Sequence, residues 1–232
     1  MRRRHYDDLD HYPKYVSAAS RQQMAEKEIA KRTRKGAQLN PVQVAGVKIA
    51  QTFWGEAWCA NLESYRDYEN RLPRGRTYVR SGSVIDLQIY PGEVQALVVG
   101  TECYEVEVTI RRLAAARWKA LREKCAGEIG SLAELLQGKL SDHVKRVITD
   151  RATGLFPAPA QIKFTCSCPE SADMCKHVAA VMYGIGARLD EAPELFFTLR
   201  QTNHRELITG IDPAQNDRKK SARKTVADSE LH

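Results

Sequence analysis

Residues 83–111 read SVIDLQIYPGEVQALVVGTECYEVEVTIR, and this stretch decides the fold class. Ile85, Leu87 and Ile89 alternate with Asp86 and Gln88, the period-two pattern of a strand with one apolar face. Pro91-Gly92 supplies a turn, Val94 to Val99 an apolar run, and Gly100-Thr101 a second turn. Tyr104, Val106, Val108 and Ile110 then alternate with Glu105, Glu107, Thr109 and Arg111. Three short strands joined by turns predict a small antiparallel sheet covered on one side, with Asp86, Glu105 and Glu107 on the polar face. A solvated strand face is the simpler reading of those carboxylates; a metal-dependent nuclease is the alternative they leave open.

Helical patterns flank the strands, so the class is α+β, a sheet with packed helices. Residues 17–35 (SAASRQQMAEKEIAKRTRK) predict a helix capped by Ser17 or Ser20. Its apolar content, Met24, Ala25, Ile29 and Ala30, is thin, which suits an exposed helix or an arm ordered only by a partner. Phe53-Trp54-Gly55-Glu56-Ala57-Trp58-Cys59 leads into a short helix through Leu62, with both tryptophans as core anchors. In residues 111–126, Ala114, Trp118, Leu121 and Cys125 form one apolar stripe on a basic helix. Ser131 to Gly138 and Asp142 to Thr149 predict two more short helices.

The chain has 232 residues and a formal charge of +7, and the charge is strongly segregated. Residues 1–40, 71–80, 111–124 and 218–224 carry +5, +4, +5 and +5, leaving −12 for the rest. Four such runs suit a polyanion, because neutralised phosphates release counterions. No stretch approaches the ~18–20 apolar residues of a membrane span. Met1-Arg2-Arg3-Arg4 is not followed by an apolar core, so a cytoplasmic chain with reduced thiols and no membrane partner is expected.

The sharpest local signal is Phe164-Thr-Cys166-Ser-Cys168-Pro-Glu-Ser-Ala-Asp-Met-Cys175-Lys-His177, spaced C-x-C-x6-C-x-H. Cys166 and Cys168 follow an extended segment, and Cys175 and His177 flank the start of a helix in which Val178, Val181, Met182, Ile185 and Leu189 recur. Three thiolates and an imidazole suit one tetrahedral Zn²⁺. A Cys-Lys-His run could instead activate a thiol, but four filled positions leave no open site, the mark of a structural ion. Cys59, Cys103 and Cys125 are expected as buried thiols.

This pattern resembles the SWIM-type zinc finger. Pro41 to Glu63, Arg71 to Arg80, Leu155-Phe156-Pro157 and Phe196 to Arg200 are also similar to segments of bacterial SWIM zinc finger proteins. The resemblance implies zinc on Cys166, Cys168, Cys175 and His177. It further implies DNA binding or protein–protein interaction, in association with a Snf-family helicase-like ATPase.

Residues 163–200 carry a formal charge of −1, so phosphate contact is expected outside the finger. Arg74, Arg76 and Arg80 are the candidates, with Arg112, Arg117 and the N-terminal arm in support; Gly75 would permit close backbone approach. The expected organisation is a basic helix or arm over 1–40, an α+β domain over 41–150, a zinc-stapled helical module over 151–200 and a flexible basic tail over 201–232. The expected function is a non-enzymatic DNA-binding accessory protein without a small-molecule substrate. A protein adaptor docking the ATPase through the acidic finger is the rival.

Overall fold

A computed structural model describes residues 16–65, 70–170, 172 and 174–208. The first part of the basic arm and the 218–224 run therefore lie outside the described residues. The architecture is α+β, with a four-stranded antiparallel sheet in the order β1-β2-β3-β4. The strands are β1 (Val84–Tyr90), β2 (Glu93–Val99), β3 (Cys103–Ile110) and β4 (Ile162–Cys166). Tyr90 pairs with Glu93 across Pro91-Gly92, and Val99 with Cys103 across the second turn.

Two features depart from the sequence reading. The segment read only as extended, IKFTC, becomes a fourth strand: Ile162, Phe164 and Cys166 pair with Ile110, Val108 and Val106. Ile85 does not share the face of Leu87. The β1–β2 register shifts between Val84 and Asp86, a bulge, so Ile85 turns to the outer face while Val84 and Leu87 stay inside.

The inner face packs on α7 (Lys176–Glu191), which is buried from His177 through Ala187 and again at Leu189. A helix apolar on nearly every side must be covered on every side. The sheet lies on one flank, and α2 (Phe53–Glu63) and α3 (Leu72–Arg80) pack on the others. Trp54 and Trp58 are 0% and 1% exposed, as expected of core anchors. Their indole N–H groups donate to the Leu135 and Met182 carbonyls at 2.8 and 2.7 Å, which removes the cost of burying them.

Three further helices are α4 (Ala115–Cys125), α5 (Leu132–Gln137) and α6 (Asp142–Thr149). Ser131 and Ser141 cap α5 and α6, accepting from the Glu134 and Val144 amides. Trp118, Leu121 and Cys125 form the buried stripe of α4, whereas Ala114 is its exposed N-cap residue. After α7, α8 (Glu194–Leu199) adds Phe196 and Phe197 to the core.

The N-terminal helix, α1 (Ala18–Arg34), is capped by Ser17 and is not a free arm. Ala25 seats on Ile85 and Val99, with Met24, Ile29, Leu97 and Cys103 around them. The sheet is thus covered at one end of its outer face as well, and the remainder of that face stays polar. Residues 40 and 42 line the β1 edge: the Leu87 amide donates to the Asn40 carbonyl and the Val42 amide to that of Val84, both at 3.0 Å. Such pairing blunts an otherwise open sheet edge.

Candidate metal centre

The strand period explains the first half of the cysteine cluster. Cys166 pairs with inward-facing Val106, so its side chain points to the core. Ser167 continues the ladder, its amide donating to the Glu105 carbonyl at 3.0 Å and its hydroxyl accepting from the Glu105 amide at 2.9 Å. One more residue returns Cys168 to the inner side, so a C-x-C step off a strand aims both sulfurs the same way. Cys175 is the N-cap of α7, and its Sγ accepts from the Val178 amide at 3.5 Å. His177 follows in the first turn, where the helix dipole favours thiolates.

The four ligand atoms lie within 4.8 Å of one another. His177 Nδ1 is 3.9 Å from Cys166 Sγ and 3.8 Å from Cys175 Sγ. Bond lengths of about 2.3 Å to sulfur and about 2.0–2.1 Å to nitrogen give tetrahedral edges of roughly 3.5–3.8 Å. The donor set and its spacing therefore fit one zinc ion bound in a closed, structural site. The hydrogen bond from the Cys166 thiol holds the Cys175 thiol far below its ordinary value, at about 3. The same bond, with burial, pushes Cys166 up, and burial raises Cys168. Metal binding to such thiols displaces their protons.

Groups outside the finger hold it in place. The His177 ring lies against Tyr104 (centroids 4.4 Å apart, planes at 32°) and meets Tyr78 edge-on (5.3 Å, 72°). His177 Nε2 is buried without a hydrogen-bond partner. A Cβ at Gly100 would come within 2.8 Å of that nitrogen, so only glycine lets the ring sit there. Glu170, in the loop between the cysteine pairs, accepts from Arg71 at 2.5 Å and Lys176 at 3.3 Å. Tyr78, Tyr104, Gly100, Arg71 and Glu170 carry no metal-site signal in the sequence; the strand alternation places Tyr104 on the inner face and says no more.

The candidate phosphate-binding arginines divide by environment: Arg74, Arg76 and Arg80 lie on α3 and Arg117 on α4, whereas Arg112 lies before α4, which starts at Ala115 and not at residue 111 as the sequence pattern suggests. Arg74 and Arg112 are exposed, with no hydrogen-bond or ion-pair partner among the described residues. Arg80 is exposed and donates to the Val47 carbonyl. Arg76 is committed internally: its Nε donates to Tyr183 Oη at 2.7 Å and its Nη2 pairs with Glu63 at 3.4 Å. Arg117 is half-buried, with Nε and Nη2 enclosed and unpaired, and its guanidinium helps to lower fully buried Arg200 after desolvation. Gly75 serves a different purpose from the expected one. It lies inside α3 against α7, where a Cβ would meet the Ala179 Cβ at 2.5 Å.

The other cysteines and the strand carboxylates have plainer surroundings. Cys125 is buried, while Cys59 and Cys103 are half-buried; burial pushes Cys59 up to about 12 and Cys125 to about 11, so both stay protonated. Asp86 accepts from the Asn40 amide and Gln88 Nε2, both at 2.8 Å. Asp86 and Glu105 flank Leu97 from opposite strands, so roughly 10 Å of sheet separates them. Among the described residues, the Cys/His quartet is the group whose metal-ligand atoms converge.

Fold and site together define an α+β protein carrying a zinc finger: residues 163–184 match the SWIM zinc finger family. The chain is also 34% identical, over 172 residues, to the uncharacterized protein Rv2102 of Mycobacterium tuberculosis strain H37Rv. That match takes in 73% of this chain and 62% of the relative, so the chain spans less than two thirds of the relative's length. No solved structure matches the chain. Among the described residues, no helix is long and apolar enough to cross a membrane.

Proposed function

We propose that this chain is a non-enzymatic, zinc-stabilised accessory protein that binds DNA through basic surface outside the finger. Its partner in this reading is a Snf-type helicase-like ATPase, and its compartment the cytoplasm. The supporting observation is the division of labour among charged groups. Three of the four zinc ligands are buried, the finger segment is mildly acidic, and Arg74 and Arg112 stand exposed and uncommitted. Arginine forks left unpaired at a surface match phosphate geometry. Arg80, Lys27, Lys31, Arg34 and Lys35 are further exposed basic residues. In this reading Arg76 and Arg117 contribute less, because Arg76 is paired with Tyr183 and Glu63 and two nitrogens of Arg117 are enclosed.

The test is a salt-titrated DNA shift assay on the full chain. Arg74→Glu combined with Arg112→Glu is expected to weaken binding and to reduce the salt slope by about one for each phosphate no longer neutralised. Arg76→Glu is expected to lower the melting temperature instead. Unchanged affinity and slope in the double variant would refute the DNA reading.

The adaptor reading draws support from a different feature, a groove of about 840 Å³ on the outer sheet face, lined in part by Asp86, Glu105 and Glu107. Its acidity disfavours phosphate and suits a basic protein surface. Recovery of the ATPase with the native protein after nuclease digestion, alongside no DNA shift, would favour this reading.

A further inference from the structure

His177 is gripped by rings that belong to neither half of the finger: Tyr104 comes from β3 and Tyr78 from α3. Tyr78 in turn carries the guanidinium of Arg21, 4.2 Å from its ring centroid. Arg21 belongs to α1 and is only 4% exposed. Its Nη1 donates to the Val16 carbonyl at 2.6 Å, and its Nε has no hydrogen-bond partner. Withdrawing a guanidinium from water is costly, and the ring compensates best where water is excluded. The other end of α1 reaches the same region, since Arg32 Nη2 donates to Sγ of Cys103, the neighbour of Tyr104, at 3.7 Å.

We propose that Arg21, Tyr78 and Tyr104 are positioning residues for the zinc centre, and that zinc binding and the seating of α1 are coupled through the stack Arg21–Tyr78–His177–Tyr104. The proposal rests on zinc occupying the quartet and is independent of the DNA reading. A stacked His177 holds Nδ1 towards the sulfurs at no further entropic cost. Anything that loosens Tyr78 lets the ring turn away. Coupling of this kind is reciprocal: the factor by which seated α1 tightens zinc is the factor by which zinc tightens α1. The matched segment 163–184 therefore does not set its own metal affinity. Loss of zinc would expose the basic helix together with the apolar strip beneath it, Ile85, Leu97 and Val99.

The test measures zinc affinity of the full chain by competition with a chromogenic chelator, and amide exchange of the zinc-loaded forms. Arg21→Ala and Tyr78→Leu are expected to weaken zinc binding about tenfold and to speed exchange in α1 but not in α5 or α6. Tyr78→Phe keeps the ring and should retain wild-type affinity; Arg21→Lys, the milder change, should fall between. Val144→Ala in α6 provides the control: because zinc binding is linked to folding, any loss of affinity there follows the loss of stability, and exchange in α1 is not selectively faster. Unaltered affinity in Tyr78→Leu, or a loss in Arg21→Ala and Tyr78→Leu no greater than in Val144→Ala at matched stability, overturns the coupling. A wild-type chain that takes up no zinc would instead overturn the zinc site itself.

Discussion

Cys175 carries two duties that a single substitution separates. Its Sγ is both the N-cap acceptor of α7 and one of the converging ligands. Serine is an excellent N-cap but a poor zinc ligand. Cys175→Ser should therefore keep a cap for α7 and lose the ion. Metal analysis is expected to fall from one zinc per chain to none, with the core loosening as it does on chelation. Retention of full zinc content would remove Cys175 from the ligand set. His177 shows why the ligands alone do not describe the site. Its orientation depends on a glycine behind the ring and on tyrosines from two other elements, and outer groups of this kind are part of what tunes a metal centre.

Between elements, the decisive contact is α3 against α7. Gly75 allows the two backbones to approach so closely that even a methyl group would strike the Ala179 Cβ and its carbonyl carbon, at 2.5 and 2.7 Å. Gly75→Ala is thus expected to destabilise the fold by about 1–3 kcal/mol, despite the better helix propensity of alanine. A urea titration checks the sign; equal or greater stability would mean that the helices separate freely. The same contact brings Tyr78 to His177 and leaves Arg74 exposed. The β1 bulge acts similarly on the opposite face, where it turns Ile85 over to seat α1.

Across the whole molecule, the finger shares the core of the other elements. Cys168 and Cys175 belong to one buried cluster with Trp54, Trp58, the inner sheet face and α7. Zinc removal is therefore expected to unfold more than the finger loop. Chelation at neutral pH should shift the tryptophan fluorescence in the same transition that removes the metal, because ligand and folding free energies are linked. Native tryptophan emission in metal-free protein would show that the core closes without the ion.

The sequence by itself determined the local features. Period-two alternation marked three strands, a capping serine marked the start of α1, and C-x-C-x6-C-x-H marked the candidate zinc ligands. Each of these signals lies within a few neighbouring residues, where backbone geometry dictates side-chain direction. Tertiary structure alone decided the rest. Five residues of β4 are too few to announce a strand before β3 offers its edge. A bulge inverts one side chain without changing composition. An arginine in a basic run reads identically whether it faces solvent, as Arg74 does, or Tyr183, as Arg76 does. The tyrosines that hold His177 come from α3 and β3, far from the finger in sequence, and only folding brings such distant groups within a few ångströms.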